Sequence, residues 1–82
     1  MVAKKKIYKV FKSKGKGGFA LSEYDTKRKA NEDLLNRFNK VYFTDFPTLQ
    51  LAEKYGELDI FKDGTGYFID QYKGEFYYIK EF

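Results

Sequence analysis

The chain contains no cysteine, no histidine and no tryptophan, and only one proline and one methionine. Without cysteine, no disulfide can staple its 82 residues; without cysteine or histidine, the common zinc ligand sets are excluded. The same absences remove the usual nucleophile and the usual general base. Two serines remain, Ser13 and Ser22, neither beside an evident base. The expectation is a non-catalytic protein with no metal and no cofactor. Asp59, Asp63 and Asp70 form the one carboxylate set that could hold Mg²⁺, but an Asp63-Gly64 turn already accounts for Asp63. Gly15-Lys16-Gly17-Gly18 lacks the spacing of a phosphate-binding loop and leads into a strand rather than a helix.

Long apolar runs are also missing. Nothing approaches the roughly 18 residues of a membrane span. No apolar stretch of about 7–15 residues follows Lys4–Lys6, as a secretory signal would require. A cytoplasmic location is therefore expected, in a bacterial host or a phage-infected cell. Lys outnumbers Arg fourteen to two, with abundant Asn, Tyr and Phe, a usage typical of AT-rich bacterial and phage genomes.

What is present in quantity is aromatic side chain: eight Tyr and nine Phe, 21% of the chain. A ring buries about 150–250 Å², so a core of this size needs only some of them, and others must be exposed or at an interface. Charge is unevenly spread. Residues 1–40 carry ten Lys and two Arg against four acids, a net of +8, and residues 41–82 carry four Lys against eight acids, a net of −4. A basic end on a compact domain suggests an anionic partner.

The pattern predicts a single α+β domain over residues 1–82, with residues 1–4 frayed. Its expected form is an antiparallel sheet with two helices, in the order β-β-α-β-α-β-β-β. Lys5–Lys12 and Phe19–Leu21 read as a hairpin around a Lys/Gly-rich tip. Lysine would protect the first of these as an edge strand. Ser22 to Asp25 has loose capping-box spacing, with Asp25 an alternative N-cap. Ala30, Leu34, Leu35 and Phe38 make an apolar helix stripe, and Asn39 reads as its stop. Val41–Thr44 reads as a third strand by propensity. A second helix begins near Pro47, capped by Asp45 or Thr48, and ends at Gly56. A C-terminal β-meander follows, turning at Asp63-Gly64 and at Tyr72-Lys73-Gly74.

Two stretches are similar to a known family. Ile7-Tyr8-Lys9-Val10 followed by Gly17-Gly18-Phe19 resembles the opening of the viroplasmin / RNase H1 N-terminal hybrid-binding domain, and Phe43–Leu49 with Ala52 and Tyr55 resembles its strand-to-helix motif. The resemblance covers about residues 6–56. It implies a small sheet with two helices that binds RNA–DNA hybrids and double-stranded RNA. The family's Trp has no counterpart here, and Thr44 stands where the family has a Lys; those family positions touch nucleic acid.

Two functions follow as expectations. In the first, the chain is a nucleic-acid-binding accessory protein that grips duplex or RNA–DNA hybrid backbone. Lys9, Lys12, Lys14, Lys16, Arg28 and Lys29 would neutralise phosphates on one basic face, with Lys27 alongside. In the second, it is a phage-type inhibitor that blocks a host nucleic-acid-processing enzyme by surface binding. Tyr67, Tyr72, Tyr77 and Tyr78 of the acidic, aromatic meander would then be the contacts, or the basic end would meet an acidic patch on the target. A third reading of the meander packs Tyr67, Ile69, Tyr77 and Ile79 against the helices, and a fourth makes its rings a stacking platform for bases.

Overall fold

A computed structural model describes residues 6–15 and 17–82. The expected frayed end at residues 1–4 and the candidate Lys16 lie outside the described residues. The expected class is found: five antiparallel strands in one sheet with two helices. The elements are β1 (Tyr8–Ser13), β2 (Gly18–Tyr24), α1 (Lys27–Tyr42), α2 (Leu49–Tyr55), β3 (Leu58–Ile60), β4 (Gly66–Asp70) and β5 (Glu75–Glu81). Their order matches the expected one except between the helices, where Val41 and Tyr42 finish α1 instead of forming a strand.

That difference has a physical cause. Val41 and Tyr42 stand three and four residues beyond Phe38 and so continue the apolar stripe of α1. The Tyr42 ring packs on Phe38 with centroids 5.0 Å apart, and its hydroxyl donates to the Ile69 carbonyl. Packing thus overrides a local β preference. The helix ends at Phe43, in the left-handed region at φ 55°, whose N–H donates to the Asn39 carbonyl. Asn39 is three residues short of the end but still organises it. Its side chain accepts from Thr44 Oγ1 and from the Phe46 N–H, and donates to the Phe46 carbonyl. The stretch Phe43–Leu49 therefore runs cap, loop and helix.

The helix starts are set by threonines. Thr26, not Asp25, caps α1 by accepting from the Lys29 N–H, and Thr48 caps α2 by accepting from the Leu51 N–H. Ser22 belongs to β2 instead of a capping box. Gly56 ends α2 as expected; a Cβ there would lie 2.9 Å from the Ala52 carbonyl oxygen, so only glycine fits without a shift. The Asp63-Gly64 turn is present but wider than two residues, since Ile60 pairs with Gly66. Asp63 Oδ1 accepts from the Thr65 N–H and hydroxyl, and Asn31 of α1 bonds the Gly64 carbonyl and the Gly66 N–H.

The sheet order is β2-β1-β5-β4-β3. β1 is not an edge: it pairs with β2 on one side and with β5 on the other, Val10 facing Ile79. The edge strands are β2 and β3, and neither contains a lysine. Both helices pack on one face of the sheet, around a core of Val10, Leu34, Phe38, Ala52, Leu58 and Phe68 with Tyr77 and Ile79.

One polar contact ties the helix layer to the sheet edge. Asp33 of α1 accepts from the Ser22 hydroxyl, the Tyr24 hydroxyl and Arg37 Nε. Burial pushes its carboxyl up, but the hydrogen bonds from Ser22, Tyr24 and Arg37 together outweigh it and hold the group below the ordinary range. Its stabilisation is therefore complete above about pH 4 and is lost as pH falls through the lowered folded value. Asp33→Ala should cost on the order of 2 kcal/mol at neutral pH. In urea titrations the gap between wild type and variant should shrink in acid; a gap that stays constant down to about pH 2 would refute this role for the carboxylate.

Candidate functional site

A sheet covered on one side leaves its other side open, and here the alternation of side chains concentrates aromatic rings on that open face. Cross-strand partners share a face. Phe68 pairs with Tyr77, so Tyr77 points with Phe68 into the core, while Phe76 and Tyr78 point away. Likewise Tyr67 and Ile69 leave the helix side, and β1 adds Phe11, opposite Tyr78.

The result is a ladder of six rings across four strands and their ends. Phe61 stacks on Tyr67 at 4.0 Å, and Tyr67 meets Phe76 edge-on at 5.9 Å. Phe76 stacks on Tyr78 at 5.1 Å, Tyr78 on Phe11 at 5.4 Å, and Phe11 leans on Phe82 at 5.9 Å. Phe61, Ile69 and Phe82 are exposed and the other rings half-buried by one another. No described element covers this face.

The orientation of the rings limits what they can bind. A base stacks on an aromatic face. Here the faces of Phe11, Tyr78, Phe76, Tyr67 and Phe61 are turned on each other at interplanar angles of 12° to 25° within the stacked pairs. The Phe82 face is approached by Lys9 at 4.8 Å and Lys80 at 6.0 Å. Each stacked ring therefore gives at least one face to a neighbour, which leaves few faces free for bases on this apolar surface.

The expected contacts of the meander are divided. Tyr67 and Tyr78 are on the open face. Tyr72 lies in the β4–β5 turn, with its ring 5.8 Å from Tyr42. Tyr77 is 8% exposed and stacks on Phe68 at 4.6 Å, which makes it a core residue. Of the set expected to pack on the helices, Tyr77 and Ile79 do so, whereas Tyr67 and Ile69 face the other way. Phe76 and Phe82, rings of the same aromatic meander, are also on the open face, whereas Phe11 and Phe61 were not among the expected contacts. The partner Phe11 is brought in only by the β1–β5 pairing.

The expected basic face does not assemble. Lys9 is on the open face and 3.7 Å from Glu23. Lys12 is on the helix side, 3.3 Å from Glu75 and beside the Phe19 ring. Arg28 pairs with Glu32 at 3.8 Å and Lys29 with Asp25 at 3.1 Å, both on α1. Lys27 donates to the Asp63 carbonyl. Because β2 runs away from the hairpin tip, the start of α1 lies at the far end of that strand, roughly 20 Å from Lys14. Of the six expected phosphate contacts, Lys14 alone is, among the described residues, without an ion pair; Lys16 is outside them.

An open polar hollow of about 500 Å³ lies between α1 and β2, lined by Tyr24, Lys29, Asp33, Arg37 and Lys40 among others. Its central carboxylate is committed to the Asp33 contacts described above. Among the described residues no group of three or more His, Cys, Asp or Glu is placed to hold a metal, and no helix is long and apolar enough to cross a membrane. The chain is thus a two-layer α+β protein with one aromatic open face. No family model, curated protein or solved structure matches it.

The two neighbouring tyrosines of β5 should separate by role. Tyr77→Ala should cost about 3–5 kcal/mol, as removal of a core ring does, and Tyr78→Ala about 1 kcal/mol. Thermal denaturation checks this; equal losses would contradict the assignment of the two rings to opposite faces.

Proposed function

We propose that this chain is a non-catalytic protein-interaction module that docks an apolar surface of another protein on its open sheet face. The observation that carries this reading is the six-ring ladder on a face that no described element covers. A contiguous apolar patch of this kind marks an interaction surface more often than a solvated one, and Tyr and Phe anchors are typical of interface centres. Such a module can act as a small inhibitor, covering a site on its target without any chemistry of its own. A phage-type inhibitor of a host nucleic-acid enzyme remains one member of this class.

The competing reading, backbone gripping by the basic hairpin, is weakened by the ion pairs that occupy Lys9, Lys12, Arg28 and Lys29. The exposed pairs among them, Arg28–Glu32 and Lys29–Asp25, contribute about 0–1 kcal/mol each, yet all four reduce the net field a phosphate would meet. Lys14, exposed at the hairpin tip, is the residue that favours it.

The two readings separate in a paired assay. Fluorescence anisotropy with duplex DNA, RNA–DNA hybrid, double-stranded RNA and single strands at about 50 and 200 mM salt should show no salt-sensitive specific binding. Affinity capture from bacterial lysate should retain a protein that is lost with Phe76→Ala/Tyr78→Ala and kept with Lys12→Glu/Lys14→Glu. Tight, salt-sensitive nucleic-acid binding that the lysine variant abolishes and the aromatic variant preserves would overturn the proposal.

A further inference from the structure

We propose that a second copy of this chain docks at the end of β4, through an exposed Phe43 knob on each copy and an acidic groove on the other.

The knob is costly where it stands. Phe43 occupies the left-handed cap position at φ 55°, where Gly or Asn is ordinarily found. It is also 92% exposed, so it gains nothing from its own fold. A bulky ring at a strained backbone position, with almost no intramolecular contact, points to a contact outside the molecule. Lys40 and Val41, just before it in the chain, line a groove of about 280 Å³ with Lys73 and with Tyr72, which is 75% exposed and packs on Tyr42, the residue preceding Phe43. Asp70 also lines that groove, but its carboxylate is engaged by the Tyr72 and Lys73 N–H groups.

The complementary surface lies next to it. A groove of about 130 Å³ is lined by Glu57, Asp59, Tyr67, Phe68, Ile69 and Gln71. This is smaller than the roughly 300–1,000 Å³ of small-molecule sites and suits a single side chain. Its two carboxylates, like the two lysines of the knob, have no ion pair among the described residues. Tyr42 links the two features: its ring meets Tyr72, and its hydroxyl bonds the Ile69 carbonyl and the Gln71 N–H. A basic aromatic knob beside an acidic apolar groove is a self-complementary pair. A two-fold axis between copies sets each knob against the other's groove, Lys40 and Lys73 facing Glu57 and Asp59, as an isologous dimer requires.

The inference does not rest on the partner proposed for the open face, although Tyr67 and Ile69 border both surfaces. Its test uses the full chain alone. Sedimentation velocity from about 5 µM to 1 mM should show a monomer–dimer equilibrium that weakens with salt. Phe43→Asn should raise the dimer dissociation constant at least about tenfold while leaving the melting temperature unchanged or higher, since Asn tolerates the left-handed region. Lys40→Glu/Lys73→Glu should likewise favour monomer, and adding Glu57→Lys/Asp59→Lys to the same chain should restore the dimer. A monomer at every concentration overturns the proposal and leaves the knob to a different, acidic protein. A dimer unaffected by Phe43→Asn, or a four-fold charge swap that does not restore association, also overturns it.

Discussion

The pairing of β1 with β5 is the contact on which the rest of the molecule depends. It joins residues near the two ends of the chain, Tyr8 opposite Glu81 and Ser13 opposite Phe76, and so turns a hairpin and a meander into one five-stranded sheet. Without it the N-terminal hairpin would be a lone two-stranded ribbon, marginal in water. With it, Val10 meets Ile79 beneath α1, and Phe11 stacks on Tyr78 on the opposite face. One register thus builds both the core and the candidate binding surface. Closing so long a loop costs chain entropy, which the cross-strand aromatic contacts and the helix layer help to offset.

The two faces divide the aromatic content by purpose. Phe38, Phe68 and Tyr77 are buried and fill the core, with Tyr8, Tyr24, Tyr42 and Phe46 packed or half-buried around it. The open-face rings pack on one another instead. Such a ladder is stiff, because each ring is held by its neighbours across the strands. Stiffness suits docking against another folded surface, where little further ordering is needed. It suits unpaired bases less well, since they need ring faces that are free.

Charge is organised by the same topology. The excess of lysine at the start of the chain is spread over two faces and two ends of the sheet. Much of it meets acids from other parts of the molecule: Lys12 reaches Glu75 and Lys6 reaches Glu81. Opposite signs that look segregated along the chain are interleaved in space, because the acidic meander lies beside the basic hairpin.

Much of the local structure was legible in the residues. The apolar stripe of α1, Pro47 and Gly56 around α2, and the turn at Asp63-Gly64 are short-range signals, and each marks its feature, although Pro47 precedes the Thr48 cap and the turn is wider than two residues. Val41–Thr44 misled because its β-branched and aromatic residues favour a strand locally, while the side chains of Val41 and Tyr42 extend a helical stripe that packs. Tyr67 and Tyr77 misled because a strand shows its alternation but not its phase. A one-residue choice of register sends a ring into the core or into solvent. The sequence by itself therefore determined the class, every element but the misread strand at Val41–Thr44, and the turns, since these depend on neighbours in the chain. Tertiary structure decided which face each ring takes and which lysines are neutralised, since those depend on partners brought together only when β1 and β5 meet.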